Sequence, residues 1–143
     1  MVADIGKGVV AVVIARLITD DPWPAIAAGA AMAGHVFPVW LRFKGGKGVA
    51  VGGGAMIGLV PLAALILLGI WVVVLLVTRY SSLASITAAI AAPILTVALD
   101  EPWSSVIFTP LASIAVLVLH RANITRLLRR EESRIQLGRA RRA

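Results

Sequence analysis

The chain alternates apolar stretches with short polar breaks. Six apolar segments can be distinguished, at roughly residues 8–19, 22–40, 49–60, 62–78, 83–99 and 103–119. The breaks between them carry charged residues, proline or glycine, which commonly end helices. The pattern therefore predicts an all-α protein, a polytopic membrane helical bundle with about six membrane segments, several of them short for a span.

Composition supports a bilayer as the solvent. Hydrophobic residues make up 59% of the chain, charged residues only 15%, and the mean hydropathy is +0.94. Soluble domains are roughly half apolar even when glycine is included. A length of 143 residues is that of one domain. The chain has no cysteine, which excludes disulfides, thiolate metal sites and cysteine nucleophiles.

The breaks fall into two groups by charge. Lys7, the 42–47 loop, Arg79 and the C-terminal tail are basic, whereas the turns at Asp20 and Asp100 are acidic. The positive-inside rule assigns the basic group to the cytoplasmic side of the membrane.

Crossing parity constrains the path between the basic breaks. A single helix from Val49 to Val77 would put Lys47 and Arg79 on opposite faces, so the chain is expected to turn back at Val60-Pro61. The segment before this turn would span about 17 Å at 1.5 Å per residue. It is predicted to be a short, tilted or partly re-entrant helix that its neighbours protect from lipid.

The loop within residues 34–50 carries the first candidate chemistry. Gly45, Gly46, Lys47 and Gly48 precede the third segment, so backbone amides, a helix dipole and a lysine would face one anion, which a phosphate fits best. The nucleotide-binding P-loop is excluded, because its first glycine, its Ser or Thr and its preceding strand are all missing. The alternative is that the lysines serve only as topology signals, which leaves the glycines unexplained.

Polar residues next to the other cytoplasmic breaks extend this site. Lys47, Arg79, Ser82, His120 and Asn123 come from three separate breaks that the topology places on one face, which predicts a composite polar site. His120 and Asn123 are three apart and share a helix face.

Two residues near this predicted site, His35 and Ser82, also have a simpler explanation. His35 is expected to make a polar contact near a helix end, and Ser82, which opens the fifth segment with Ser85, is expected to be a helix N-cap.

The last part of the chain differs from the rest. Residues 120–143 are predicted to form a basic amphipathic cytoplasmic tail suited to an anionic membrane surface, frayed from Arg139 to Ala143. Much of the net charge of +7 lies here, which argues against nucleic acid as a partner. Glu131 and Glu132 are interpreted as local charge compensation.

Four stretches resemble the bacterial membrane glycerol-3-phosphate acyltransferases that use acyl phosphate as the donor. They are Asp4-Ile5-Gly6-Lys7-Gly8; the stretch from Gly34 to Ala50 with its His-x-Phe-Pro and Gly-Gly-Lys-Gly-Val-Ala; Thr78 to Ile86; and His120-Arg121-Ala122-Asn123-Ile124-Thr125-Arg126-Leu127-Leu128 followed by Glu132. The resemblance covers nearly the whole chain, in the family's order and spacing.

This resemblance implies acyl transfer from acyl phosphate to the 1-hydroxyl of glycerol 3-phosphate, giving 1-acylglycerol 3-phosphate and phosphate for phospholipid synthesis. It implies no metal and no cofactor such as coenzyme A. Its polar site residues correspond to Ser82, His120 and Asn123, which we expect to be catalytic. Substrate binding is assigned to Gly45, Gly46, Lys47, Gly48, Arg79, Ser85 and His35, and Glu132 is expected to be structural. Either His120 or a substrate phosphate would accept the hydroxyl proton.

The resemblance also has a gap. The family has seven membrane helices and begins with a helix and a Gly-Ser-Gly-Asn-x-Gly-Ala-Thr-Asn-x-x-Arg motif, and this sequence starts after both. The chain is therefore expected to be truncated and weakly active or inactive. The alternatives are a small anion transporter or channel subunit, although no polar path through the bilayer or inverted repeat is found, and a non-catalytic membrane remnant.

Overall fold

The structure, a computed structural model, describes residues 1–39 and 45–136 of the chain. All regular secondary structure in these ranges is helical. The helices are α1 (Val2–Ile18), α2 (Trp23–Val36), α3 (Val49–Leu59), α4 (Pro61–Thr78), α5 (Ser81–Ala98), α6 (Trp103–Leu119) and α7 (Arg121–Leu128). The six predicted apolar segments correspond to α1 to α6, and α7 lies in the predicted tail.

Proline and glycine set several of the helix boundaries. Pro61 is the first residue of α4, where its missing N–H would have no intrahelical partner in any case. Gly48 precedes α3 with a φ of +79°, a left-handed conformation that glycine adopts without strain. Two boundaries differ from the prediction. The first helix begins at Val2, because Asp4 suits the positive end of its dipole, and the second ends at Val36.

The helices differ in how they fit a membrane. Among the described residues, α4 and α5 are long and apolar enough to cross a bilayer, and α6 with α7 makes a third if that pair, bent by 60°, counts as one span. Large side chains of α4 such as Leu65 and Val77 are exposed, as expected for a surface in contact with lipid. The 11-residue α3 is instead mostly buried, in accord with its prediction as a short helix shielded by neighbours.

Close backbone contact pairs α1 with α3. A side chain on Gly8 would collide with the carbonyl oxygen of Val51, and one on Gly54 with the carbonyl oxygen of Ile5. Further along both helices, Arg16 Nη2 donates to the carbonyl oxygen of Leu59 at 2.7 Å. The two helices therefore run side by side in the same direction, and small residues allow their close approach.

The bundle has two distinct ends. One end, here the site end, carries Lys47, Ser82 and His120. The opposite end, here the far end, carries Arg16 and Leu59, together with the turns between α1 and α2 and between α5 and α6. Since α3 starts at the site end and finishes beside Arg16, α4 has to run back after Val60, as the parity argument requires.

Candidate functional site

A hydrogen-bonded network centred on Glu132 joins three separate parts of the chain at the site end. Lys47 Nζ donates to Asn123 Oδ1 at 2.7 Å, and Asn123 Nδ2 donates to Glu132 Oε1 at 2.7 Å. The Ser82 hydroxyl donates to the same carboxylate oxygen at 2.6 Å, and Arg126 Nε donates to Glu132 Oε2 at 2.7 Å. The carboxylate thus holds a serine from α5 and an asparagine from α7, and through Asn123 it also holds the lysine before α3.

The bend between α6 and α7 brings Asn123 into this network. The two helices meet at 60° next to His120, so α7 crosses the end of the bundle instead of extending α6. Residues after α7 then run back along the site end, where the Ile135 amide donates to the Arg79 carbonyl oxygen at 2.8 Å. Arg134 Nε donates to the Tyr80 hydroxyl at 3.0 Å and strengthens this return. Glu132 is carried to the site by that backbone path.

His120 presents one ring nitrogen for chemistry. Its side chain is buried, and Nδ1 lies 2.8 Å from the carbonyl oxygen of Val116. A carbonyl oxygen can only accept, so Nδ1 carries the proton and Nε2 of the neutral ring carries a lone pair. Among the described residues, the ring of His120 makes hydrogen bonds through Nδ1 alone. This fixed tautomer suits a general base that acts through Nε2.

Glu132 is held in its ionised form. Partial burial raises the pKa of this carboxyl, but the hydrogen bonds from Ser82, Asn123 and Arg126 outweigh that effect and lower its pKa from 4.5 to about 2. The carboxylate therefore keeps its charge at neutral pH and accepts only. Because Ser82 donates its proton to this carboxylate, its oxygen offers lone pairs to a ligand.

The glycine turn packs against the end of α2. A side chain on Gly45 would collide with the His35 carbonyl oxygen, and one on Gly46 would collide with the His35 ring. The Gly46 amide donates to the His35 carbonyl oxygen at 3.3 Å. We expected bare amides in this turn, so for Gly46 that expectation is wrong. Close approach to α2 explains these two glycines. His35 packs against the turn, and its Nδ1 lies 3.6 Å from Asp4 Oδ1.

Three other predicted site residues, Ser85, Arg79 and Ser82, have different relations to the Glu132 network. Ser85 is buried, accepts from Trp71 Nε1 at 3.1 Å and donates to the Ser81 carbonyl oxygen at 2.9 Å, so the described contacts of its hydroxyl lie outside the network. Arg79 directly follows the last residue of α4 at the site end, and its side chain is exposed. Ser82 is not an N-cap: α5 begins at Ser81, and the hydroxyl of Ser82 bonds Glu132.

Glu132 and Arg126 have a larger part in the structure than their sequence context indicates. The interpretation of Glu132 as local charge compensation is incomplete. Its carboxylate pairs with Arg126 of the basic tail, and it also accepts a hydrogen bond from Ser82, which is 50 positions away. Glu132 lies four residues after Leu128, the end of the basic helix α7, and its position after the C-terminal stretch of the resemblance was a further signal. Two predicted stretches, residues 40–44 of the glycine loop and the tail from Arg139 to Ala143, lie outside the described residues. Within the described ranges, no group of three or more His, Asp or Glu side chains is placed to hold a metal ion.

Fold and site together define a class: a helical bundle with membrane-spanning helices and a polar, cation-bearing site at one end. Comparison with known proteins gives the family. The model of the glycerol-3-phosphate acyltransferase family matches residues 1–130, and the chain belongs to that family. Glycerol-3-phosphate acyltransferases of Brucella anthropi and Rubrobacter xylanophilus are 46% and 42% identical to it, over 94% and 92% of the chain.

Solved structures agree with the sequence relatives. Crystal structures of PlsY, an integral membrane glycerol 3-phosphate acyltransferase, in a glycerol 3-phosphate form and a lysophosphatidic acid form, each superpose with a TM-score of 0.87 at 34% identity over 93% of the chain. The protein is thus a membrane protein. It spans 66% and 67% of the length of the two relatives and 68% to 69% of the PlsY chains, or about two thirds in each case.

Proposed function

We propose that this protein takes part in the transfer of an acyl group from acyl phosphate to the 1-hydroxyl of glycerol 3-phosphate. The products are 1-acylglycerol 3-phosphate and inorganic phosphate, which feed phospholipid synthesis. The observation that carries the proposal is the network in which Glu132 ties Ser82 and, through Asn123, Lys47 into one site beside His120. Family membership and the two forms of PlsY support the same substrate class.

Phosphate binding is assigned to the turn before α3. An ammonium group has three donor hydrogens, and Asn123 Oδ1 takes one of them, which leaves two for phosphate oxygens. The first amides of α3, at Val49 and Ala50, have no intrahelical acceptors and point toward the same side, where the helix dipole favours an anion. The exposed cation of Arg79 adds positive potential near the site entrance.

The chemical step needs a base and a leaving group. The 1-hydroxyl oxygen forms an ester bond to the carbonyl carbon of acyl phosphate, while the bond from that carbon to the phosphate oxygen breaks and phosphate leaves with the electron pair. His120 Nε2 accepts the hydroxyl proton, and the oxygen of Ser82 accepts a hydrogen bond that orients glycerol 3-phosphate. Acyl phosphate is already an activated anhydride, so positioning and charge stabilisation supply most of the catalysis. Glu132 acts as a positioning residue.

The orientation of the site follows from charge. Lys7, Lys47 and Arg79 lie at the site end, whereas Asp20 and Asp100 lie at the far end. By the positive-inside rule the site end faces the cytoplasm and the far end faces outward across the cell membrane. Since the chain has no cysteine, Arg130→Cys and Asp100→Cys each introduce one thiol. In intact cells, a membrane-impermeant maleimide should label the Asp100→Cys variant only, and labelling of Arg130→Cys alone would reverse the orientation.

The activity itself is tested with radiolabelled glycerol 3-phosphate. Vesicles that contain the protein are supplied with palmitoyl phosphate, and the lipid extract is analysed for labelled 1-acylglycerol 3-phosphate. Label should enter the lipid fraction only when acyl phosphate is present. Passage of labelled glycerol 3-phosphate or phosphate into the vesicles without acylated product would instead support an anion transporter and defeat the proposal.

A further inference from the structure

A polar cavity lies at the far end of the bundle, away from the proposed acyl-transfer site. It has a volume of about 320 Å³, within the roughly 300 to 1,000 Å³ of typical small-ligand sites. Its walls carry the side chains of Arg16, Asp20, Asp21, Ser104 and Ser105. A cation and two carboxylates thus share one small space.

The charges in this cavity do not neutralise each other directly. In the described ranges, 1–39 and 45–136, Arg16 forms no ion pair with either aspartate. Arg16 uses Nη2 on the Leu59 carbonyl oxygen, and Asp21 accepts a hydrogen bond from Ser104. A cation and two carboxylates that line one cavity without pairing suit a ligand that carries both charges.

Ser105 gives an independent indication of a ligand. Its side chain is 2% exposed and lines the cavity, and no hydrogen-bond partner for its hydroxyl is found among the described residues. No fully buried side-chain oxygen or nitrogen in that part of the chain lacks a partner, so this hydroxyl oxygen keeps a small exposed area, and Ser105 lines the cavity. Buried polar groups are normally satisfied, and a bound polar headgroup would satisfy this one.

An apolar groove continues from the cavity along the bundle. It lies between α2 and α6, has a volume of about 590 Å³, and shares Ser104 with the polar cavity. Trp103, Ile107 and Leu111 of α6 line it and are largely exposed. From residue 103 to residue 119 the groove follows α6 for about 24 Å, longer than the roughly 15 Å depth of one bilayer leaflet. Trp103 stands where the groove meets the cavity, as aromatic residues do at membrane interfaces.

From this continuity we propose that the far end binds a zwitterionic phospholipid with an ethanolamine phosphate headgroup. Arg16 binds the phosphate, Asp20 and Asp21 bind the ammonium, Ser105 donates to a headgroup oxygen, and one acyl chain lies in the groove between α2 and α6. A primary ammonium donates hydrogen bonds to carboxylates, whereas the quaternary ammonium of choline has no N–H, so ethanolamine is favoured over choline. The headgroup part of this site lies at the opposite end from the proposed acyl-transfer site, whereas the groove reaches Leu119, next to His120.

Native mass spectrometry of the full chain released from bicelles tests the proposal. The bicelles contain equal amounts of phosphatidylethanolamine, phosphatidylcholine and phosphatidylglycerol with identical acyl chains. One phosphatidylethanolamine should be retained per protein, about tenfold more often than either competitor, given the strength of charge-assisted hydrogen bonds. Equal retention of the three lipids would overturn the proposal, and so would a dimer with the groove covered and no lipid retained.

Variants locate the bound lipid. Asp20 is exposed, so Asp20→Asn should fold and should reduce retention of phosphatidylethanolamine about tenfold, as should Arg16→Gln. Ser105→Val, which removes the hydroxyl without a change in charge, should also reduce it. Asp100→Asn is the matched control, because Asp100 lies in the α5–α6 turn at the same end and outside the cavity. An equal loss in Asp20→Asn and Asp100→Asn would show a general charge effect and refute the site.

A soluble probe separates the headgroup from the chain. Free O-phosphoethanolamine, added at the concentration of the lipid, should not displace phosphatidylethanolamine, because it lacks the chain that the groove holds. Displacement by the free headgroup at that concentration would show that the groove contributes nothing and would overturn the lipid assignment.

Discussion

Replacement of Glu132 by glutamine tests the network that holds the site together. Glutamine keeps the shape of the side chain but has one oxygen and one NH₂ group. In one orientation the NH₂ group of the glutamine faces the donor Arg126 Nε. In the other orientation it faces the donors of Ser82 and Asn123. The substitution should therefore loosen α7 and the returning segment from the rest of the bundle.

The magnitude follows from the three hydrogen bonds. Loss of the carboxylate charge weakens each of the two bonds from Ser82 and Asn123 by about 1 kcal/mol, the difference between charge-assisted and neutral bonds. The Arg126 side chain is 46% exposed, so that pair contributes only about 0.5 kcal/mol after solvent screening. The total is about 2 to 3 kcal/mol, or roughly a 30- to 150-fold increase in local opening of α7.

Hydrogen exchange measured by mass spectrometry provides the assay. Amides of residues 121–128 should exchange roughly 30 to 150 times faster in Glu132→Gln, while those of α4 remain unchanged. Glu131→Gln is the matched control, since Glu131 is the neighbouring residue, has an exposed side chain and undergoes the same change in charge. Unchanged exchange in Glu132→Gln, or equal acceleration in Glu131→Gln, would refute the role of the network.

Two further predictions concern packing and pH. Gly54→Ala should lower the free energy of unfolding by about 1 to 3 kcal/mol, because the new methyl group would collide with the Ile5 carbonyl oxygen. Gly53→Ala meets no atom within 4 Å and should be neutral or stabilising by up to about 1 kcal/mol. Thermal unfolding compares the two variants, and equal losses of stability would contradict the packing of α1 on α3. The folded-state pKa of Glu132 is about 2, below the ordinary 4.5, so the stabilising effect of its carboxylate is complete above pH 4.5 and is lost as the pH falls toward 2. The difference in Tm between the native protein and Glu132→Gln should therefore shrink over that pH range. A constant difference in Tm would contradict the lowered pKa.

The fold was largely predictable because a membrane helix is determined mainly by the residues of its own segment. Apolar length, proline and glycine identified α1 to α6 within a few residues, and crossing parity located the return at Val60. The short buried helix α3 followed from the same argument. The membrane limits the chain to helices, so few alternatives competed with these assignments.

The site was only partly predictable because its contacts are not local. The position of Glu132 depends on the bend beside His120 and on the bond from the Ile135 amide to the Arg79 carbonyl oxygen, and no periodic pattern encodes either feature. The position of Ser82 at the start of α5 is typical of an N-cap, but its hydroxyl donates instead to the distant Glu132 carboxylate. The glycines were predicted to expose their amides to a phosphate, whereas close packing on α2 by itself accounts for glycine at positions 45 and 46.

The most direct test of the proposed site is the single-turnover rate of acyl transfer from palmitoyl phosphate in matched variants. His120→Ala removes the proposed base and should reduce the rate about 10²- to 10⁴-fold, and Lys47→Ala should raise the concentration of glycerol 3-phosphate needed for half-maximal rate. Arg129→Ala removes an exposed positive charge of the tail, outside the network, and should have the rate of the native protein. Equal rates in the His120→Ala variant and the Arg129→Ala control would contradict the account.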